Sequence, residues 1–403
     1  VNDKARDGPY DAGGRFTLVS QPMMPSRRMI FLVLPLAFAA SANAQERLAD
    51  CDDYCRGGAA LIERFELRES PTPVRERAGW APPKRVVVAD VALAEVLRGI
   101  APQAEVVGIA GLRNYAAMEE AVAGADVLVG LCTPEIIARG TSLRFIQLLN
   151  AGADSCTTIP AVAERGILVT NLQRIQGPHM AEHAIALTLA LARALPVYGI
   201  EQAKGEWTRG FRERRTENLV ELEGKTLLVV GLGGIGTEVA NRAHGLAMRV
   251  IATRNRSREG PSYVEYVGLA AEYLTLAARA DVVVNATPLT PETRGMFNAA
   301  FFDAMQDHAL FINVGRGESV VTDALVAALV AGKLGGAGLD VTDPEPLPPG
   351  HPLWSLENVI ITPHVATSSD VRSERTVTLV VENLRRYLRG DRMLSVVDLE
   401  RGY

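Results

Sequence analysis

Cysteine is scarce in this chain: four residues among 403, too few for a scaffold built on disulfides. Cys51 and Cys55 could pair only in an oxidising compartment, and their close spacing restricts the geometry. The three residues between them do not make a C-x-x-C redox motif. Positive charge is not in excess either. The formal net charge is −5, which leaves no electrostatic footprint for nucleic acid. The apolar run Met29–Ala40 is too short to cross a bilayer as an ordinary helix. What is present, 48% hydrophobic and 22% charged residues, suits a soluble globular protein long enough for two or three domains with real cores.

That apolar run carries a different signal. Arg27 and Arg28 precede it, and Ser41-Ala-Asn-Ala44 follows. A basic start, a short apolar stretch and an A-x-A site together read as a secretory signal peptide over 23–44, cleaved after Ala44. Ser26–Leu32 also resembles a twin-arginine export signal. Residues 1–22 then stand upstream of the starts offered by Met23, Met24 and Met29, as a leader or mis-set start. The expected product is exported if the signal is used and cytoplasmic otherwise, with no stable membrane anchor after cleavage. Residues 45–84, charged and bearing Pro71, Pro73, Pro82 and Pro83, read as a linker or arm with a short helical patch at 59–66.

From Lys84 onward short apolar runs alternate with helical segments. Runs near 85–89, 104–108, 126–130, 144–149 and 167–170 form one series. Runs near 227–231, 248–253, 281–286, 309–314, 338–341 and 359–362 form another. This alternation predicts an α/β fold with two doubly wound parallel sheets and a cleft between them. A helix over 181–195, apolar almost all round and stopped by Pro196, should be buried at a domain or subunit junction. The final helix, 372–388, has no obvious place in the second sheet and could return to the first. The expected division is therefore 85–178 with 366–400 as a substrate domain, and 179–365 as a dinucleotide domain.

The second series opens on Gly231-Leu232-Gly233-Gly234-Ile235-Gly236, between the strand Thr226–Val230 and a helix beginning near Thr237. In such a turn Gly231 allows the tight bend, Gly233 lets backbone approach a pyrophosphate, and Gly236 lets helix and strand pack closely. The N–H groups at the helix start, Gly234 and Ile235 among them, favour an anion. NAD sites usually place a carboxylate about 20 residues further on, at the end of the second strand. Here Thr253-Arg254-Asn255-Arg256-Ser257 stands there instead. Arg254 and Arg256 could bind a 2′-phosphate, with hydroxyl donors from Thr253 and Ser257, so NADP is favoured and NAD remains possible.

Hydride transfer to a 2-oxo acid also needs a cation for the carboxylate, a proton donor for the developing alkoxide, and a group that keeps the donor charged. Downstream of the glycines stand Asn313-Val-Gly-Arg316-Gly317, Asp340-Val-Thr-Asp-Pro-Glu345 and Thr362-Pro-His364, each just past a predicted strand end. Together with Pro288–Gly295 and Asn358–His364, in this order, these motifs resemble the D-isomer-specific 2-hydroxyacid dehydrogenases over about residues 85–400. The resemblance implies that Arg316 binds the substrate, His364 is the acid/base and Glu345 orients it. It implies cofactor contacts at Thr287, Pro288, Val314 and Asp340, the last to the nicotinamide carboxamide. It also implies that the loop Ala151-Gly152-Ala153 meets the substrate carboxylate through backbone N–H groups, although an ordinary left-handed turn at Gly152 would look the same. Gly130-Leu-Cys-Thr-Pro134 lacks the basic residue several relatives carry there, which argues for a small acid of the glyoxylate or hydroxypyruvate type. The reading is thus an NADP-preferring 2-oxoacid reductase, expected as a homodimer and without a metal. A dinucleotide-sensing protein of the corepressor type stays an alternative, as does formate dehydrogenase-like chemistry, against which Glu345 counts. His179, His183 and Trp354 are read as structural.

Overall fold

The computed structural model describes residues 51–207 and 219–403, with side chains from Gly57 onward. The readings of residues 1–50 as leader and signal peptide, and of a Cys51–Cys55 pairing, lie outside what it describes.

Short runs of β-branched and other apolar residues form the strands, and those inside the sheets are buried on both faces, as parallel sheets require. The first sheet contains β1 (Arg85–Val88), β2 (Glu105–Gly108), β3 (Val127–Gly130), β4 (Phe145–Leu148) and β5 (Leu168–Thr170), all parallel, in the order β2-β1-β3-β4-β5. The second contains β6 (Thr226–Val230), β7 (Arg249–Arg254), β8 (Tyr266–Leu269), β9 (Val282–Asn285), β10 (Leu310–Asn313), β11 (Gly336–Leu339) and β12 (Val359–Ile361), ordered β12-β11-β10-β9-β6-β7-β8. In each sheet the order reverses beside the first strand, between β1 and β3 and between β6 and β9, which opens a crevice at the strands' carboxyl ends. β8 was not among the expected strands. It lies at the sheet edge and pairs only with β7, and its Tyr266 is exposed, so its run is short and only half apolar.

Two helices depart from expectation. The apolar helix runs Gly177–Ala192, not 181–195, and Pro196 does not stop it. Ala194 adopts a left-handed conformation (φ 51°), and a second helix, Leu195–Lys204, starts there with Pro196 in its first turn, where a missing N–H costs nothing. The first of the two buries Ala184, Ile185, Leu187 and Leu191 in the core of the second sheet. The helical patch at 59–66 is the end of a longer helix, Cys51–Phe65.

That helix packs on the last one, Arg372–Arg389. Along the last helix Val380, Val381, Leu384 and Tyr387 lie in one core with Val86, Val88 and Phe145 of the first sheet, and the Tyr387 ring stacks on Phe145 with centroids 4.9 Å apart. Full burial of each such side chain stabilises by about 1.5–3 kcal/mol. Asn383 donates to Gln147 Oε1 (2.8 Å), which also accepts from Thr170 Oγ1 (2.7 Å). These buried polar bonds select one register of helix on sheet, because an unpaired amide there would be costly.

Candidate active site

The glycine turn is built as its spacing requires. Gly231 follows β6 with φ 98°, and a Cβ there would sit 2.8 Å from the Ala286 carbonyl oxygen. A Cβ on Gly236 would strike the Gly231 carbonyl oxygen and Val229, so helix Gly234–Gly245 packs directly on the strand. Ile235 packs against the apolar core beneath that helix. At Gly233, by contrast, a Cβ would meet nothing within 4 Å. Open space over backbone at a helix start fits the pyrophosphate of a dinucleotide. Gly234 is instead crowded, since its Cβ would lie 2.9 Å from Arg174 Cα.

Arg254 closes β7 beside this turn, and its Nε donates to the Leu232 carbonyl (2.9 Å). Burial pushes its guanidinium pKa down, and Arg174 and Arg68 push the same way. Cations crowded together in this way favour an arriving anion. Arg256 is exposed on the following loop. Thr253 is buried, and its hydroxyl accepts the Gly231 N–H (3.3 Å), which braces the turn from within. The Ser257 hydroxyl accepts the Glu259 N–H (3.0 Å) within its own loop.

Arg316 follows β10, and its backbone is held by a buried amide cluster. Asn285 and Asn313, opposite each other at the ends of β9 and β10, share a hydrogen bond (2.9 Å). Asn285 also donates to Ser319 Oγ (2.8 Å), and both Ser319 Oγ and Asn313 Nδ2 donate to the Arg316 carbonyl (2.6 and 3.1 Å). Thr287 gives its N–H and hydroxyl to Asn285 Oδ1 (3.0 and 2.7 Å), and Val314 gives its N–H to the Asn285 carbonyl (3.2 Å). Pro288 is exposed at the rim.

The Arg316 side chain crosses to the first sheet. Its Nε and Nη2 donate to Asp154 Oδ1 (3.2 and 2.9 Å). A Cβ on Gly152 would fall on Arg316 Nη2. Gly152 is therefore needed for room and not for a left-handed turn, since its φ is not positive. On either side, the Ala151 carbonyl accepts from Asn171 Nδ2 (2.6 Å), and Ala153 is buried at the start of the short helix Asp154–Thr157.

His364 stands on the loop after β12 with φ 53°, a conformation that costs a bulky residue energy and persists only where the surroundings impose it. Asp340 imposes it. Its carbonyl accepts the His364 N–H (2.8 Å), and its carboxylate accepts the Thr362 hydroxyl (2.7 Å) and the N–H groups of Val365 (2.9 Å) and Ala366 (3.0 Å). Asp340, which the resemblance implies as a contact of the nicotinamide carboxamide, also clamps the His364 loop through these partners. His183 Nε2 lies 2.8 Å from Thr362 Oγ1, and since that hydroxyl proton already goes to Asp340, His183 is the donor.

His364 Nδ1 meets Glu345 Oε1 at 2.8 Å, which leaves Nε2 available. His364 holds the Glu345 carboxyl below the usual carboxylate range against the opposing effect of burial, and Arg316 lowers it further. Glu345 thus stands within electrostatic reach of both His364 and Arg316, and the three form one constellation.

Residues 185–366 match the D-isomer specific 2-hydroxyacid dehydrogenase NAD binding domain. Human glyoxylate reductase/hydroxypyruvate reductase is 34% identical over 295 residues, covering 70% of this chain and 87% of the human protein. The chain belongs to the D-isomer specific 2-hydroxyacid dehydrogenase family. It is accordingly a dinucleotide-dependent oxidoreductase acting on CH–OH groups. D-3-phosphoglycerate dehydrogenase of Archaeoglobus fulgidus is 35% identical over 271 residues, but this chain spans only 49% of it. Among solved structures, the NADPH-dependent glyoxylate/hydroxypyruvate reductase of Sinorhizobium meliloti, in complex with NADP and sulfate, superposes with a TM-score of 0.67 at 31% identity, over 79% of this chain and all of that one. A family member from Xanthobacter autotrophicus, in complex with NADPH and MES, gives 0.66 at 29% identity, over 80% of this chain and all of that one.

Within this member, sequence reasoning passed over Asn285, Ser319 and Asp154, and it gave no partner for His183, which meets Thr362. The two asparagines had a signal: each closes an otherwise apolar strand (Val-Val-Val-Asn285, Leu-Phe-Ile-Asn313), where a buried amide must find partners. His183 had none, because its partners lie far along the chain.

Proposed function

We propose that the protein is an NADP-preferring reductase of small 2-oxo acids, of the glyoxylate or hydroxypyruvate type. The observation that carries this reading is the 2.8 Å contact between His364 Nδ1 and Glu345 Oε1, an acid/base with its orienting carboxylate, on the same sheet that carries Arg316 just past the end of β10. When bound, the dinucleotide supplies the hydride for the carbonyl carbon. The glycine turn would hold its pyrophosphate, and Arg254 with Arg256 a 2′-phosphate. Arg316 would bind the substrate carboxylate and polarise the carbonyl, while His364, protonated, donates from Nε2 to the forming alkoxide. Glu345, accepting from Nδ1, orients the ring and stabilises its charged form. Relatives named for NADP and for glyoxylate and hydroxypyruvate support both cofactor and substrate.

The test is NADPH oxidation against a panel of 2-oxo acids, repeated with NADH. Reduction of glyoxylate or hydroxypyruvate with a clear preference for NADPH is expected. No oxidation with any acid would turn the assignment toward a dinucleotide-sensing protein. Export through residues 23–44 and assembly as a homodimer are separate proposals, read from the mature N-terminus by mass spectrometry and from the mass in solution.

A further inference from the structure

Although cysteine is scarce, Cys132 and Cys156 are joined in a disulfide, with Cα atoms 5.1 Å apart. Both are buried. Cys132 follows the carboxyl end of β3, and Cys156 belongs to helix Asp154–Thr157, just after the carboxyl end of β4. The bridge therefore ties together two loops on the ligand-facing edge of the first sheet. Two residues before Cys156 stands Asp154, whose Oδ1 accepts from Arg316 Nε and Nη2. Arg316 Nη1 donates to the Gly315 carbonyl (3.0 Å). A guanidinium has five N–H donors. With three engaged on the protein, one remains on each terminal nitrogen, and the plane of the fork is set before substrate arrives.

We propose that Asp154 is the positioning residue of the substrate-binding arginine, and that the Cys132–Cys156 bridge is the tether that keeps Asp154 in place. The inference rests on the role given to Arg316 above. Arg316 has a long side chain with several rotors, and ordering it on binding would weaken affinity. Asp154 removes that cost by holding the fork through a charge-assisted pair on a part-buried site. Helix Asp154–Thr157 has only four residues, too short to be stable by itself. Its covalent link to the β3 loop supplies an anchor that its own hydrogen bonds do not.

The experiment compares wild type with Asp154→Ala, Asp154→Asn and the double variant Cys132→Ser/Cys156→Ser. Steady-state reduction of glyoxylate and hydroxypyruvate by NADPH is measured, together with calorimetric binding of oxamate, an unreactive 2-oxo acid isostere, in the presence of NADP. Asp154→Ala is expected to raise the 2-oxo acid KM and the oxamate Kd tenfold or more, with the KM for NADPH unmoved. Asp154→Asn, which keeps an oxygen acceptor without the charge, should fall between. Reducing wild type with dithiothreitol converts the bridge into two thiols by two electrons and two protons, the reagent closing to its own cyclic disulfide. This should raise the same KM while leaving that of the double variant unchanged. Unaltered oxamate affinity in Asp154→Ala, or a lowered KM showing that Asp154 competes with substrate, would overturn the proposal. So would reduction that lowers Tm without moving the substrate KM. Should Asp154→Ala fold poorly, Asp154→Asn and the reduction arm decide the matter. A wild-type enzyme that reduces no 2-oxo acid removes the role of Arg316 itself; an active wild type with an unaltered Asp154→Ala removes only the role of Asp154.

Discussion

The two sheets begin alike and end differently. At the amino-terminal edge of the first, Asp126 accepts the N–H groups of Lys84 (2.7 Å) and Arg85 (3.1 Å). At the same edge of the second, Asp281 accepts the Thr226 N–H (2.8 Å). Each aspartate satisfies an otherwise orphaned start of the first strand from its neighbour and carries a basic partner, Arg144 in one case and Lys225 in the other. At the carboxyl ends the likeness stops. The second sheet ends in Gly231, Arg254, Asn285, Asn313, Arg316, Asp340 and His364, of which the last five are tied together by hydrogen bonds. The corresponding ends of the first sheet offer backbone, a disulfide, the Asn171 amide and two carboxylates, Asp90, which caps the next helix by accepting the Leu93 N–H (2.7 Å), and Asp154, which holds Arg316. Chemistry is thus concentrated on one sheet, while the other shapes the space for substrate.

This contrast makes a pair of substitutions informative. His364→Ala, on the second sheet, should lower kcat by about a hundred- to ten-thousand-fold, the usual worth of a positioned proton donor. NADPH affinity, followed by fluorescence titration, should hold steady. Gly152→Ala, on the first, puts a methyl where Arg316 Nη2 lies, so the fork must move. A displacement of that size costs about a hundredfold in kcat/KM, and it should fall mainly on the substrate KM. If Gly152→Ala lowered kcat alone, or His364→Ala raised the substrate KM alone, the division of labour between the sheets would be wrong.

A smaller effect tests the cofactor side of the second sheet. Arg254→Ala should lower kcat/KM for NADPH and leave that for NADH nearly unchanged, reducing the NADPH preference about tenfold, as expected for one charge-assisted contact to a phosphate. Measuring both coenzymes with one 2-oxo acid gives the ratio. A wild-type preference of twofold or less would already undo the case for Arg254.

The same contrast explains what could be read in advance. Strands buried on both faces announce themselves as apolar runs, and a glycine turn has a local spacing, so both sheets and the turn at 231–236 were legible. Arg316, Glu345 and His364 were legible because each follows a strand end in an ordered set of motifs. The short edge strand β8 was not, since it is apolar on only part of its length. The Cys132–Cys156 bridge and the pair of Asp154 with Arg316 were also hidden: their partners are 24 and 162 residues apart, and no periodicity reports such contacts. Asp340 was visible as a residue, but its partners Val365 and Ala366 are backbone groups, so its use as a clamp depends on tertiary structure alone.

The junction between the sheets carries the smallest effect. His179 opens helix Gly177–Ala192 and lies 3.4 Å from Ser369 Oγ, ahead of the returning helix. Burial pushes its pKa down to about 4, helped by the positive charges of Arg375 and Arg372 and opposed by Glu182. In the unfolded chain the ring titrates near its ordinary 6.5. Between these values the unfolded state binds a proton that the folded state refuses, so this contribution is fully present above 6.5 and is lost as pH falls toward 4. His179→Gln keeps a polar side chain without the proton. Relative to wild type it should gain on the order of 1 kcal/mol on moving from about pH 7.5 to about pH 5, roughly 2 °C in Tm for a chain of this size. Thermal melts of both proteins at the two pH values measure that difference. Parallel loss of stability in the two would mean that His179 is not held neutral at the junction, and that the acid sensitivity arises elsewhere.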